Sequence, residues 1–251
     1  MRITVAIPAY NEARRILPSL ERVFTHMDAQ HPNYEVLVVD DGSSDDTVGV
    51  VQRRFGTRVA VHSCGGNRGK GYAFRQAIRE ARGDLVLFSD ADLSTPIEAL
   101  DAMLPLIDGG YDIVIGSRAV RGAQIRQRQP WYREGAGKLF NVLVRLVVMG
   151  EFHDTQCGFK LFRREAVLPL LPHLRIDRWA FDVEVIALAQ AAGLRIAEVP
   201  VEWTNSPTST VDLAGGLSAF FDLVRIRGRA RRASLAIRPT RDQLRTAGGS
   251  H

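Results

Sequence analysis

The sequence of 251 residues is poor in cysteine and has no long apolar run. Cys64 and Cys157 give neither a disulfide framework nor a CxxC metal pattern, so both are expected to be packed thiols. No apolar run approaches the roughly 18 residues that a membrane-spanning helix needs. The sequence also enters a strand pattern at once, without a charged and then apolar leader. These absences predict a cytoplasmic protein built around one substantial core.

Lysine is scarce as well, and basic charge is concentrated at the end of the chain. Lysine supplies three of the 33 basic residues, Lys70, Lys138 and Lys160. Eight arginines and one aspartate after position 224 give that tail a charge of +7, and the total of +5 leaves −2 for residues 1–224. Such a tail suits an anionic membrane surface or a nucleic acid. The arginines have little aromatic interleaving and form no recognised module, so a nucleic-acid partner is not expected.

Two nucleotide-binding fingerprints are also missing. No G-x-G-x-x-G follows the first strand pattern, which argues against a dehydrogenase. No GxxxxGK[ST] occurs, so ATP hydrolysis is not expected. What is present is an alternation of short apolar runs with helical patterns, which predicts a parallel, doubly wound α/β sheet. The five predicted strands cover residues 2–10, 34–39, 58–62, 84–88 and 111–116.

Asp90 and Asp92 follow the fourth predicted strand, at the end where open α/β sheets bind ligands. Side chains two residues apart on an extended segment point the same way, so both carboxylates reach one cation. Carboxylates together with substrate phosphates hold Mg²⁺ or Mn²⁺. The pattern therefore predicts a metal-bridged diphosphate. A pair of solvated loop aspartates has the same pattern, and these two residues alone do not decide between the readings.

The second half of the sequence is less regular. The turn Gly65–Gly71 is glycine-rich and basic and opens a helix, as an anion cradle does, although a mobile loop is the alternative. Residues 120–132 are polar and arginine-rich, which predicts a mobile loop over a site. The patterns that follow predict helices over 136–149, near 165–171 and up to Gly193, and then a strand over 195–203.

Five motifs occur in the order typical of one large family. They are Ala6–Glu12, Val38–Ser43, Asn67–Gly71, Asp90–Asp92 and Gly116–Arg118. Together they resemble the inverting glycosyltransferases of family 2. Two further stretches, Asp154–Lys160 and Arg178–Glu184, are similar to the dolichyl-phosphate or polyprenyl-phosphate β-glucosyltransferase branch, close to the dolichol-phosphate mannose synthases. The resemblance implies a GT-A fold over residues 1–210, a doubly wound and mostly parallel sheet with helices on both faces. Residues 211–251 then form a basic amphipathic helix and tail.

The resemblance also implies roles for individual residues. It places the nucleotide sugar against Pro8, Tyr10, Glu12, Val39, Asp41, Lys70, Asp90, Ala91, Asp92 and Arg118. It implies Mg²⁺ or Mn²⁺ held by Asp90 and Asp92, and a part in catalysis for Asp92, Arg118 and Gln156. No histidine is clearly placed as a base, and we interpret the nearest one, His153, as structural.

The implied reaction moves a sugar, glucose from UDP-glucose, to a lipid phosphate with inversion and a divalent metal. Two alternatives within the family are a mannosyl transfer from GDP-mannose to polyprenyl phosphate and transfer to a non-prenyl acceptor. A sugar nucleotidyltransferase is the alternative from another class. That class has a glycine-rich loop directly after the first strand, where this sequence has Pro8-Ala9-Tyr10-Asn11-Glu12.

Membrane attachment is where the sequence departs from the relatives that it resembles. The eukaryotic glucosyltransferase has an N-terminal spanning segment and many bacterial ones have C-terminal pairs, and neither pattern occurs here. A helix predicted over residues 213–232 has an apolar stripe beside arginines, which suits peripheral binding at the inner face of the cell membrane. The stripe consists of Leu217, Phe220, Phe221 and Val224. In the alternative, this stripe packs on the sheet. Residues 206–210 stand where the resemblance implies a Ser-Lys pair, so the sequence does not identify the acceptor.

Overall fold

The computed structural model describes residues 1–127, 135, 144, 152–178, 180–204, 223 and 225–230. The strands are β1 (Ile3–Ala9), β2 (Tyr34–Asp40), β3 (Val59–Ser63), β4 (Leu85–Ser89), β5 (Ile113–Ser117), β6 (Gln124–Gln127), β7 (Phe159–Arg163), β8 (Ile196–Pro200) and β9 (Glu202–Thr204). The α-helices are α1 (Ile16–Gln30), α2 (Thr47–Phe55), α3 (Lys70–Glu80), α4 (Ala99–Asp108), α5 (Arg164–Val167) and α6 (Phe181–Ala191). Short 3₁₀ turns cover Gly56–Arg58 and Leu168–His173.

Seven strands form one sheet in the order β3-β2-β1-β4-β7-β5-β8, and β6 pairs with β9 in a second, two-stranded sheet. All pairs in the large sheet are parallel except those of β7, which runs antiparallel between β4 and β5. Pro8 pairs with β2, and the ladder to β4 ends at Ala6, so the missing N–H of the proline leaves no gap there. The predicted mostly parallel α/β fold is confirmed.

The two faces of the sheet carry separate hydrophobic clusters. One cluster packs α3 and α6 on the sheet, and the other packs α1 and α4 on the opposite face. The central strands are apolar at nearly every position because both of their faces are covered. Four phenylalanine rings link α3 and α6 to the sheet with centroids 5.2–6.2 Å apart, namely Phe74, Phe88, Phe162 and Phe181.

Two details of the predicted layout are wrong, and a third has the right place but is divided in two. No strand was expected where the antiparallel β7 lies, because Lys160 interrupts its short apolar run. The predicted mobile loop over 120–132 contains β6, where the Arg126 Nη2 donates to the Glu202 Oε2 at 2.9 Å. The predicted strand over 195–203 is divided into β8 and β9. Of the predicted helix over 136–149, the structure describes Val144, which is helical and buried.

The described part of the tail packs against the body of the protein. Positions 223 and 225–230 are helical, and the side chains of Leu223 and Ile226 are fully buried in the cluster that contains α3 and α6. The Arg229 Nη1 donates to the Glu184 Oε1 at 2.8 Å. The predicted apolar stripe lies outside the described residues, and the boundary at residue 210 stays a prediction. Among the described residues, no helix combines the length and apolarity needed to span a membrane.

Candidate active site

The loops that follow β1 and β2 are hydrogen-bonded to each other at the carboxyl edge of the sheet. The Asn11 Oδ1 accepts the backbone N–H of Ser44 at 2.8 Å, and the Ser43 Oγ accepts that of Asn11 at 2.9 Å. The Thr47 Oγ1 accepts the N–H of Glu12 at 2.8 Å. Asn11 has a φ of 57°, a left-handed conformation that asparagine adopts more readily than most residues. These bonds form a fixed wall on one side of the site.

The predicted nucleotide contacts on this wall differ in exposure. The ring of Tyr10 is 45% exposed and is therefore available to a ligand. Glu12 accepts a bond from the Arg15 Nη2 at 2.7 Å, and Pro8 is half-buried. Val39 is fully buried in the core, so its side chain is covered by other residues. The roles predicted for these residues toward a base and a ribose stay predictions.

Asp41 ties the end of β2 to the glycine-rich turn before α3. Its carboxylate accepts the backbone N–H groups of Arg68 at 2.9 Å and Gly69 at 2.7 Å, and the residue is only 5% exposed. A Cβ on Gly42 would stand 2.4 Å from the backbone of Gly66, so the turn packs directly on the β2 loop. Both acceptor oxygens of Asp41 thus hold the turn, and its predicted bond to a base would use their remaining lone pairs.

Lys70, the first residue of α3, reaches Asp90. Its Nζ donates to the Asp90 Oδ1. Burial acts to lower the pKa of the Lys70 ammonium, but the Asp90 and Asp182 carboxylates outweigh burial and raise that pKa above its ordinary value. Lys70 is therefore a fixed positive charge beside the aspartate pair.

A second ion pair lies next to the first and, unlike it, is buried. The Nζ of Lys160, which is 2% exposed, donates to the Asp182 Oδ1 and to the carbonyl of Cys157. Burial raises the pKa of Asp182, and the charges of Lys160 and Lys70 oppose that shift. The charges alternate from Lys160 through Asp182 and Lys70 to Asp90. The sequence analysis did not predict this network. The one indication of it in the sequence is Lys160, a lysine inside the apolar run that forms β7.

Asp92 is half-buried at the same edge, and its Oδ1 accepts the backbone N–H of Ser94 at 3.0 Å. The next residue, Leu93, is buried and has a φ of 45°, which is uncommon for a residue other than glycine. Because the side chain of Leu93 is buried, it fixes the backbone directly after Asp92. Two partly exposed carboxylates at a sheet edge are a donor set that fits Mg²⁺ or Mn²⁺. Since Asp90 already contacts Lys70, Asp92 is the less engaged carboxylate of the pair.

Arg118, directly after β5, is bound to Asp154. Its Nε donates to Oδ2 at 2.6 Å, its Nη2 donates to Oδ1 at 2.9 Å, and its backbone N–H donates to Oδ2 at 3.0 Å. Burial acts to raise the pKa of Asp154, which is 1% exposed, but Arg118 outweighs burial and holds that pKa below its usual range. The guanidinium fork therefore anchors the 152–158 loop. The predicted phosphate contact of Arg118 stays a prediction and would use its remaining N–H groups.

The 152–158 loop is held from its other side by Glu198 of β8. The Glu198 carboxylate accepts the backbone N–H groups of His153 at 3.0 Å and Asp154 at 2.9 Å, and it contacts the His153 Nδ1 at 3.0 Å. The interpretation of His153 as structural stays a prediction. Gln156 is half-buried, and its backbone N–H donates to the Asp154 Oδ1 at 3.2 Å. Its predicted role in catalysis stays a prediction.

Gly158 gives a direct test of how tightly the aspartate pair is held. A Cβ at this position would stand 1.9 Å from the Asp90 Oδ2. We expect Gly158→Ala to displace that carboxylate and to lower turnover about tenfold, an increase of roughly 1.4 kcal/mol in the barrier. The matched control is Gly66→Ala, where an added Cβ meets no atom within 4 Å. Equal activity of both variants and the parent in a steady-state assay would show that the position of Asp90 is not critical.

The features described so far define a class of protein. An open, mostly parallel α/β sheet carries Asp90 and Asp92 at its carboxyl edge, as the resemblance to the GT-A glycosyltransferases implies. Residues 4–170 match the family described as Glycosyl transferase family 2, and the chain belongs to that family. The predicted membership and the predicted enzyme class, a hexose-transferring glycosyltransferase, are confirmed.

Two relatives that match over most of the chain carry the same name. The chain is 35% identical over 236 residues to a dolichyl-phosphate beta-glucosyltransferase of Trichomonas vaginalis, covering 89% of this chain and 70% of that protein. It is 38% identical over 220 residues to the dolichyl-phosphate beta-glucosyltransferase of Drosophila melanogaster, covering 82% and 68%. These matches confirm the resemblance to that branch of the family.

A solved structure shares the fold. Glucosyl-3-phosphoglycerate synthase from Mycobacterium tuberculosis, in complex with Mn²⁺ and UDP-glucose, superimposes with a TM-score of 0.65 over 90% of this chain and 79% of that one. Its sequence is 19% identical to this chain. At that identity the likeness establishes the common architecture.

Proposed function

We propose that this chain transfers glucose from UDP-glucose to a polyprenyl or dolichyl phosphate, with inversion and with a divalent metal ion. The observation that carries the proposal is the name shared by relatives that are 35% and 38% identical over more than four fifths of the chain. The carboxylate pair at the sheet edge supplies the chemistry that such a donor requires. The protein would act at the cytoplasmic face of a membrane, where a lipid phosphate is accessible.

The donor would lie along the edge formed by the ends of β1, β2 and β4. Tyr10 is exposed and would contact the nucleoside, and Lys70, whose ammonium contacts Asp90, would lie beside the diphosphate. Asp90 and Asp92 would hold Mg²⁺ or Mn²⁺, with Asp92 the main ligand. A divalent cation there offsets the negative charge that develops on the departing nucleoside diphosphate.

The reaction would be one in-line displacement. An oxygen of the acceptor phosphate forms a bond to the anomeric carbon, the bond from that carbon to the diphosphate oxygen breaks, and UDP leaves with the electron pair. A phosphate monoester has a second pKa near 6 and is therefore anionic at neutral pH. The acceptor needs positioning more than deprotonation. This explains why a site with no clearly placed histidine base suffices.

Alternatives within the family concern the donor and the acceptor. A GDP-mannose donor would use the same carboxylates, since both donors are nucleoside diphosphate sugars. The superimposed synthase is named for a small phosphorylated acid, 3-phosphoglycerate, so a non-prenyl phosphorylated acceptor is the second alternative. A panel of nucleotide sugars against polyprenyl phosphate, a sugar phosphate and a diacylglycerol, with products identified by mass, separates these cases.

We expect the chain to bind UDP more tightly than GDP. The prediction rests on the similarity to the glucosyl branch, and isothermal calorimetry with each nucleotide in the presence of Mn²⁺ measures it. Titration of each nucleotide with EDTA in place of Mn²⁺ is the control and should weaken binding of both. Tighter binding of GDP would instead assign the chain to the mannosyl alternative.

A further inference from the structure

Five arginines surround an open groove of about 500 Å³ beside the start of α3. Ile176 and Asp177 complete its lining. The arginines come from three separate parts of the chain: the turn before α3, the segment before α6, and the tail helix. They are Arg68, Arg175, Arg178, Arg225 and Arg229. We name this feature the arginine groove.

The arginine groove carries an excess of positive charge. Among the described residues that line it, Asp177 is the one acidic residue, and its carboxylate is already engaged because it accepts a bond from the Arg75 Nη2. The Arg229 guanidinium is paired with Glu184. Arg175 and Arg178 are both exposed, and among the described residues neither side chain has an acidic partner.

The walls of the arginine groove are fixed to the rest of the site. The Asp177 carbonyl accepts the backbone N–H of Gly71 at 2.7 Å, and a Cβ on Gly69 would stand 2.3 Å from the same carbonyl oxygen. The Glu184 carboxylate accepts the backbone N–H groups of Arg175 at 2.9 Å and Ile176 at 2.8 Å. The arginines at 175 and 178 are thus carried by a backbone that is bonded to both α3 and α6.

The tail helix closes the arginine groove from another side. Leu223 and Ile226 are fully buried in the core, while Arg225 and Arg229, on the same helix, line the groove. The buried Glu184 contacts both the 175–176 backbone and Arg229, so one carboxylate joins two of the walls. Arginines that the sequence placed in a basic tail are therefore organised around one concave surface.

We propose that the arginine groove binds a phosphate group, at a site separate from the one for the donor diphosphate. Guanidinium groups bind phosphate oxygens through two parallel N–H bonds, and several forks around one concave surface suit a phosphate monoester or diester. The same chemistry is presented by the phosphate of a lipid acceptor and by the headgroup of an anionic bilayer lipid. Only the first of these sources rests on the proposed function.

The test compares binding of two probes to the double variant Arg175→Gln, Arg178→Gln and to the parent. Geranyl phosphate, a short and water-soluble prenyl phosphate, is titrated by calorimetry without any donor. Vesicles of phosphatidylglycerol and phosphatidylcholine are sedimented with each protein. Because both arginines are exposed, the double variant is expected to keep the thermal midpoint of the parent. The matched control is the double variant Arg53→Gln, Arg54→Gln on α2, outside the groove.

Loss of affinity of about tenfold for geranyl phosphate identifies the acceptor phosphate as the source, and a similar loss for vesicles alone identifies a lipid headgroup. The control double variant should bind both probes as the parent does. The proposal is overturned if the groove variant binds both probes with the affinity of the parent, or if the parent binds neither probe. Both measurements record binding without turnover, so a parent that binds a probe but transfers no glucose contradicts the proposed function and leaves the phosphate site standing.

Discussion

Replacing Asp92 by asparagine is expected to lower the metal-dependent kcat by two to three orders of magnitude. An amide oxygen still accepts the N–H of Ser94 but carries no negative charge to hold a divalent cation. Loss of that cation removes several kcal/mol of stabilisation from the transition state, which corresponds to roughly 10²- to 10³-fold in rate. The fold should stay intact, because the half-buried side chain of Asp92 supports no part of the core.

A steady-state assay across Mg²⁺ and Mn²⁺ concentrations measures this effect. The matched control is Asp46→Asn, an exposed aspartate in the loop before α2 that pairs with the exposed Arg53. A surface pair of this kind contributes little to stability. If Asp92→Asn keeps near-normal activity at every metal concentration, Asp92 does not hold the metal.

Replacing Asp154 by asparagine should have the largest effect on stability. The side chain of Asp154 is 1% exposed. An asparagine there carries no negative charge, so the Arg118 guanidinium loses its bidentate carboxylate partner. Breaking a buried pair from one side costs about 3 kcal/mol in the free energy of unfolding. Urea denaturation followed by circular dichroism measures that change.

The control for Asp154→Asn is Glu202→Gln, which removes the exposed pair with Arg126. Solvent screens that pair, so the control should unfold at nearly the same urea concentration as the parent. Equal stability of both variants and the parent would mean that Arg118 and Asp154 are not held together in solution.

The stabilisation by Asp154 should depend on pH in one direction. Its folded-state pKa lies below the usual value because the favourable interaction with Arg118 outweighs burial. The contribution of Asp154 to the free energy of unfolding is therefore complete above the pKa of the unfolded state, about 3.9. It decreases as the pH falls through the pKa of the folded state. The difference in unfolding free energy between the parent and Asp154→Asn should be largest near neutral pH and should narrow below about pH 4. A constant difference down to acid pH would exclude a charged Asp154 as its source.

The sequence predicts the first half of the fold well. Strands β1 to β5 occur in the predicted order, because each is a short apolar run closed by turn residues, and that signal is local. The position of Asp90 and Asp92 at a carboxyl edge follows from the same local pattern. The core phenylalanines can also be predicted from the sequence, since a large apolar side chain on a covered face of the sheet is buried whichever residues it contacts.

Long-range ion pairs could not be predicted in this way. Arg118 and Asp154 are 36 residues apart, and Glu184 and Arg229 are 45 residues apart, so no local pattern links either pair. The sequence indicates that Lys160 interrupts an apolar run, but not that Asp182 is its partner. For that reason the sequence suggests a phosphate contact for Arg118 but not its pair with Asp154, and a membrane contact for the arginines after position 224 but not the pair of Arg229 with Glu184.

The antiparallel strand β7 has a consequence for the connection that leads to it. The chain leaves the sheet after β5 and returns as β7 beside the same strand, with Ile115 opposite Lys160. The two ends of residues 118–158 therefore lie side by side, and the bond between Arg118 and Asp154 joins their bases. A connection whose two ends are held together in this way can differ in length between them without altering the path of the sheet.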